Sequence, residues 1–375
     1  VRPPLGRGWA GAGWIGGWAG GGEWPQSYEA QLRAAILGNP VAQRAMRLVS
    51  EAAGSLAICA QADDAAQART ALTLVQRRSA GQSLVETLAA HILLHGNGYV
   101  QIGHGADGQP AQLYALRPDR VTIEPDAQGW PMAYRYRAGE RTQRYASEDA
   151  AGRTAIIHVK ALHPADDHYG LGCLGAAAGA VALHNAATVW NKALLDNAAR
   201  PSGALIYDPG DGAVLSSDQY DRLKAELAQA FQGADNAGRP MLLEGGLQWQ
   251  SLSLSPADMN FVELKAAAAR DIALALGVPP VLVGLPGDGT YSNHQEANKA
   301  LWRSTVLPLA DKILGALTQG LATFVPGLTL AADLDQVPAL AQDRMALWDR
   351  VTAADFLTAQ EKKALLGLHL EEPAA

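Results

Sequence analysis

The sequence predicts an α+β fold, and three observations predict it. Long stretches carry apolar residues at the 3.6-residue spacing of a helix face. Between them lie short β-branched and aromatic runs broken by Asp-Gly and Gln-Gly turn signals. The balance of 48% hydrophobic to 18% charged residues is that of a folded chain, and 375 residues suffice for two or three cores.

Residues 1–25, VRPPLGRGWAGAGWIGGWAGGGEWP, are Gly- and Trp-rich and read as a flexible arm over 1–27. Trp9, Trp14, Trp18 and Trp24 leave two readings open, a disordered tail or an arm that docks on a partner through aromatic anchors. Helix is expected over 28–60, where Val41, Ala45, Leu48, Ala52 and Leu56 recur at helical spacing, and over 82–95, stopped by Gly96-Asn97-Gly98. The period then changes. GYVQIG, AQLYALRP, RVTIEPD and MAYRYRA read as strands, with turns at Asp107-Gly108 and Gln128-Gly129, and AIIHVKAL (155–162) adds another. Residues 28–165 therefore form an α+β domain.

Helical pattern returns from Leu171 to Arg200, with Gly172, Gly175, Ala176, Ala177, Ala178 and Gly179 crowding its first half and Pro201 ending it. A compact unit follows: the strand GALIY, the helix DQYDRLKAELAQAF capped at Ser216-Ser217-Asp218, and the strands PMLLEGG and LQWQSLSLS around a Gly245-Gly246 hairpin turn.

Residues 256–308 are the most informative stretch. One helix starts after Ser255-Pro256 and ends at Gly277. Pro279-Pro280 opens the loop VLVGLPGDG, and a second helix runs from Ser292-Asn293 past Trp302 to about Thr323. A loop carrying Val281, Leu282, Val283 and Leu285 requires cover, from the core, a neighbouring subunit or a channel lining. LTLAADL reads as a strand, followed by helices with N-caps at Thr352 and Thr358; Thr358-Ala359-Gln360-Glu361 matches a capping box. Trp190, Trp302 and Trp348 read as packed core.

Several chemistries lack their residues. The net charge of −7 is not that of a domain that grips duplex DNA through Lys and Arg, though it leaves looser contact open. No G-x-x-x-x-G-K-[ST] or G-x-S-x-G is present. His91 and His95 have zinc-ligand spacing, but Ile-Leu-Leu between them lacks a catalytic Glu, so core or surface histidines are the better reading. His158, His163 and His168 near Asp166 and Asp167 leave a metal-dependent hydrolase open as an alternative, with a solvated loop preferred. Gly284, Gly287 and Gly289 suggest a phosphate cradle, but the loop has no cation and contains Asp288. Cys59 and Cys173 form no metal spacing and suit a reducing compartment, with a single disulfide left open. No membrane span is expected, because no charge-free apolar run of about 18 residues is evident. The N-terminus shows no basic-then-apolar leader.

The chain resembles the HK97-like family of tailed-bacteriophage portal proteins. The residues that carry this are GNGYVQI (96–102) with LYALRPDRVTI (113–123), IIHVKAL (156–162) with Asp166-Asp167-His168-Tyr169-Gly170-Leu171, and ARPSGALI (199–206). The strongest block is RDIALALGVPPVLVGLPGDGTYSNHQEANKALWRSTVLP, residues 270–308. Gly172-Cys173-Leu174 stands where the family has Gly/Ser-Pro-Leu, a small departure. The resemblance covers about residues 28–350.

This resemblance implies a phage portal fold assembled as a dodecameric ring at one capsid vertex, with DNA entering and leaving through its channel. It implies a wing over 28–170, a wing-to-stem helix over 171–200, a clip over 201–255 and a second stem helix over 256–277. The channel loop would be 278–293, the long wing helix and strand 294–337, and a short crown 338–375. Leu282, Val283, Leu285, Asp288 and Thr290 become candidates to approach DNA. Lys265 and Arg270 would touch phosphates or form inter-subunit salt bridges with Glu263 or Asp271. Arg239, Trp249 and Gln250 would face the packaging motor or adaptor, with Trp249 equally readable as clip core. The implied partners are further copies of the chain, duplex DNA, the major capsid protein, the large terminase subunit and the head–tail adaptor. No cofactor, catalysis or membrane is implied, and the location is the virion after synthesis in the bacterial cytoplasm. The portal of a gene transfer agent is a variant of the same reading. An oligomeric scaffold that does not carry DNA is a further alternative.

Overall fold

The computed structural model describes residues 27–149, 152–196, 203–207, 216–231, 247–251, 261–285 and 291–367. The Gly- and Trp-rich arm falls outside them. The chain divides into two compact units, one of residues 1–178 and 271–375, the other of residues 179–270.

In the first unit the expected helix over 28–60 is broken. Helix α1 (Tyr28–Leu32) passes into a π turn at Arg33–Leu37 and stops at Gly38. Pro40, which lacks an N–H and suits a first helical turn, opens α2 (Pro40–Gly54). The Oδ1 of Asn39 accepts from the amides of Val41 (3.0 Å) and Ala42 (3.1 Å), which fixes the restart. Leu56 lies in the connection to strand β1 (Ile58–Gln61), not on a helix face. Helix α3 (Ala65–Gln76), capped by Asp64, was not expected; its buried stripe is only Ala68, Ala71 and Val75. Helix α4 (Leu84–His95) is capped by Ser83 and ends at Gly96, but Asn97 and Gly98 belong to the next strand rather than to a stop.

Strand β2 (Asn97–His104) pairs antiparallel with both β3 (Pro110–Leu116) and β7 (Ile156–Lys160). A second sheet is the meander β4 (Val121–Pro125), β5 (Pro131–Ala138) and β6 (Arg141–Ala146). β6 was not expected either: five of its six residues are exposed, so no apolar alternation marks it. The two sheets share a core of Tyr99, Leu116, Val121, Ile123, Tyr134 and Ile156.

Within α5 (Cys173–Asp196) the chain enters the second unit, and it returns within α7 (Phe261–Ala275). The second unit holds β8 (Gly203–Tyr207), α6 (Ser217–Phe231) and β9 (Leu247–Ser251). β8 and β9 pair antiparallel from Gly203↔Ser251 to Tyr207↔Leu247. The expected α6 cap is present in reciprocal form. Ser216 Oγ accepts from Gln219 N at 3.3 Å, and Gln219 Oε1 accepts from Ser216 N at 3.0 Å. The expected strand PMLLEGG and turn Gly245-Gly246 lie outside the described residues.

Back in the first unit, α8 (Tyr291–Leu301) continues through a π turn at Trp302–Val306 into α9 (Leu307–Leu321). Pro308 explains the π turn: it has no N–H to give Ser304, and Leu307 instead donates five residues back to Trp302 O. Ala310, Ile313, Leu314, Leu317 and Leu321 bury one face of α9. Gly320 lets α9 close on β7, because a Cβ there would sit 2.4 Å from Ile157. Strand β10 (Thr329–Ala332) pairs antiparallel with β1. Helices α10 (Ala341–Ala353) and α11 (Ala359–Leu365) follow, α11 with the full Thr358/Glu361 capping box.

Three expectations need correction. Thr352 is inside α10, which continues to Ala353, so it caps nothing. Trp348 is 38% exposed and donates its Nε1–H to Asp335 at 3.2 Å, so it is a surface side chain rather than core. Cys173–Ala193 is long and apolar enough to cross a membrane by length and composition, contrary to the expectation of no such run. Its partnering by α7, described next, gives that apolar surface a protein neighbour.

Candidate functional site

The loop expected to matter begins at a sharply defined helix end. Val278 N donates to Ala273 O (2.9 Å) and Gly277 N to Leu274 O (3.0 Å), the paired bonds of a Schellman cap. Gly277 holds φ +68, a left-handed conformation that a side chain resists. Thr305, in the π turn of the long helix, donates its hydroxyl to Gly277 O at 2.7 Å. Val278 is buried, and Pro279-Pro280 fixes the exit direction.

The loop then forms a 3-10 turn, Pro280–Val283, with Leu282 N bonded to Pro279 O (3.0 Å) and Gly284 at φ +79. The turn packs on α2 and α8. Val281, Leu282, Val283 and Leu285 are all half-buried, so their own chain covers them only in part. Asp288 and Thr290 lie outside the described residues.

In the second unit, α5 and α7 run antiparallel. Trp190 stacks on Phe261 with ring centroids 4.2 Å apart and planes 2° from parallel. His184 is buried on α5, and its pKa is lowered first by burial and then by the charge of Lys265 on α7. Lys265 is therefore close to His184 and half-buried, whereas Arg270 is exposed. Trp249 and Gln250 are on β9, opposite Leu205 and Ala204. Arg239 lies outside the described residues.

The histidine and aspartate segment is organised differently from a metal centre. Asp166 Oδ1 accepts from the amides of His168 (2.7 Å) and Tyr169 (2.9 Å), shaping its own turn. His158 stacks on Tyr99 at 4.4 Å between centroids and bonds to Asn97 Oδ1 at 3.0 Å through Nε2. Burial, then the charges of Lys160, His168 and His95, pushes the His158 pKa down to about 3. His91 is pushed down to about 4, chiefly by burial. No group of three or more His, Cys, Asp and Glu is placed to hold a metal among the described residues. Cys59 and Cys173 are free thiols.

Sequence reasoning missed Asn97, which is 1% exposed. Its Oδ1 accepts from Gly170 N (2.7 Å), and its Nδ2 donates to Gly170 O (3.3 Å) and lies 3.1 Å from His95 Nδ1. Asn97 thus ties the end of α4 and the start of β2 to the segment leading into α5. The fit is tight, since a Cβ on Gly170 would lie 2.0 Å from Gly96 O. Thr305 was also missed. Its spacing from Gly277 carries no pattern, and only the fold brings the two together.

A mixed wing of small sheets, a long helix broken by a π turn, and an antiparallel helix pair leading to a strand–helix–strand unit define a portal-type fold. A profile of the phage portal protein family matches residues 40–367, and the chain belongs to that family. It is thus a portal protein, the component of a virion that stands at the capsid vertex. An uncharacterized protein of Rickettsia felis is 43% identical over 292 residues, 77% of this chain and 74% of that protein. A chain from the neck of a native gene transfer agent particle, computed with C12 symmetry, is 48% identical with a TM-score of 0.69, covering 92% of this chain and 94% of that one. An HK97 family phage portal protein from Corynebacterium diphtheriae, 17% identical, covers 84% of this chain and 99% of its own with a TM-score of 0.57, a likeness of fold alone.

Proposed function

We propose that this chain forms a dodecameric ring at the portal vertex of a gene transfer agent particle, through which duplex DNA enters on packaging and leaves on ejection. The observation that carries this reading is the 48% identity, over nearly the whole of both chains, to a component of a neck with C12 symmetry. The particle of a tailed phage is the second setting, supported by the family itself. In this reading residues 28–170 are the wing and 201–255 the clip. The helix pair α5 and α7 is the stem, and 278–293 is the loop at the narrowest part of the channel. Residues 294–337 run back across the wing and 338–375 are the crown.

The proposed partners are further copies of the chain, the major capsid protein, the large terminase subunit and the head–tail adaptor. Arg239, Trp249 and Gln250 are the clip residues nearest the last two. Leu282, Val283, Leu285, Asp288 and Thr290 approach the DNA. Half-buried apolar side chains there offer phosphates no cation, so DNA slides past rather than sticking. Lys265 and Arg270 are the stem candidates for a phosphate or a neighbouring carboxylate. The acidic total of −7 suits a passage that must release what it admits.

Two measurements test this. Twelve chains of 39.4 kDa give a ring of about 470 kDa in solution by mass measurement; a monomer would overturn the assembly. Deleting 284–290 should leave the number of chains per ring and the particle number unchanged while lowering DNA content per particle. Normal DNA content in those particles would remove the loop from the channel.

A further inference from the structure

We propose that Thr305 is a positioning residue for the loop that follows α7, holding it at a fixed angle from the long helix. The proposal rests on the channel reading of that loop. Four features of the fold converge on one contact. First, the Thr305 hydroxyl donates to Gly277 O at 2.7 Å, binding the last residue of the helix cap to a different helix 28 residues on. Second, the contact is closed from both sides. A Cβ on Gly277 would lie 2.9 Å from Thr305 Oγ1 and 3.0 Å from its Cγ2, and φ +68 is already hard for any other residue.

Third, Thr305 lies in the π turn Trp302–Val306. One extra residue in a helical turn rotates what precedes it by about 100° relative to uninterrupted α-helix. The direction in which Thr305 points is therefore a product of the π turn. Fourth, both sides of the contact are anchored. Leu301 and Val306 flank Thr305 in the core at 3% and 0% exposure, and Val278 follows Gly277 at 2%. Between this anchor and the half-buried side chains of 281–285 stand only Pro279 and Pro280, whose φ angles are fixed by their rings. The position of the loop is thus set by one hydroxyl, two prolines and a 3-10 turn that packs on α2 and α8.

The hydroxyl also satisfies a helix-terminal carbonyl that otherwise has no helical partner. Valine has the shape of threonine without the donor, so Thr305→Val removes this bond and little else. Thr305→Ser keeps the donor. Gly277→Ala retains the hydroxyl but forces the two chains apart.

The experiment uses full-length chain assembled into rings and particles. Amide exchange is read at Leu282 and Gly284, and DNA content is read per particle. Thr305→Val should assemble at unchanged mass, raise exchange at those two amides about fivefold, the loss of one modest hydrogen bond, and lower the fraction of DNA-filled particles. Thr305→Ser should restore both readings, and Gly277→Ala should reproduce the valine defect. Unchanged exchange and filling in Thr305→Val would overturn the proposal, as would a serine variant as defective as valine. Should the 284–290 deletion fill normally, the channel reading fails, while the exchange measurement still decides whether Thr305 positions the loop.

Discussion

Asn97 sets the protonation of two histidines. Because Gly170 N donates to Asn97 Oδ1, that atom is the amide oxygen, so His158 must present a protonated Nε2 to it. The Asn97 Nδ2 group faces His95 Nδ1, which therefore accepts and carries no proton there. Both rings are neutral, and adding a proton to His95 Nδ1 breaks its contact. The pKa directions agree: His95 is lowered by burial, His158 lies at about 3, and His91, facing His95, Asp119 and Arg117, lies at about 4. Folded values below the unfolded one mean the stability is fully present above about pH 6.5 and is lost as pH falls toward 4 and 3. At pH 5 His158 and His91 should each have withdrawn about 2 kcal/mol. The first unit should therefore melt at a clearly lower temperature at pH 5 than at pH 7.5, and His158→Gln should flatten that dependence. An equal melting temperature at both values would show that the histidines are not neutral in the fold.

At the scale of the element, the well-marked ends behaved as their sequence signals said, and the weakly marked ones did not. The capping box at Thr358 is complete, with Thr358 Oγ1 accepting from Glu361 N at 3.3 Å and Glu361 Oε2 accepting from Thr358 N at 2.8 Å. Thr358→Ala should cost about 1 kcal/mol locally, read as faster amide exchange in α11 with the rest of the chain unchanged. Serine at this position should restore protection.

The legible elements were those with a strong apolar period: α4, β2, β7 and the run from α8 to α9. α3 escaped because its buried face is mostly alanine, which contrasts little with its polar neighbours. β6 escaped because its side chains face solvent. The break at residues 33–38 was hidden because Pro40 and Asn39 sit inside an otherwise continuous helical pattern. The site divides the same way. The Gly277 stop and the Pro279-Pro280 exit were readable from residue type, whereas Thr305 and Asn97 act through contacts that exist only after folding.

For the whole molecule, the pairing of β1 with β10 joins two distant parts of the chain. Cys59 Sγ donates to Ala331 O at 3.4 Å across 272 residues of sequence. Ending the chain after residue 328 leaves β1, one of two strands in its sheet, with neither edge paired, a template for pairing with other chains. Such a truncation should assemble poorly and aggregate, visible as loss of the 470 kDa species of the proposed ring on size-exclusion chromatography. Recovery of a normal ring would mean that β10 is dispensable.

That same ladder sets a timetable. At roughly 5–20 residues per second, synthesis puts on the order of 15–50 s between the appearance of β1 and that of its partner strand. Before that interval ends the whole 179–270 unit has been synthesised, while an early strand of the first unit still lacks its mate. The nascent chain thus carries a sticky edge for longer than most domains take to fold. Its yield in a cell is governed by what shields that edge before the C-terminal strand arrives.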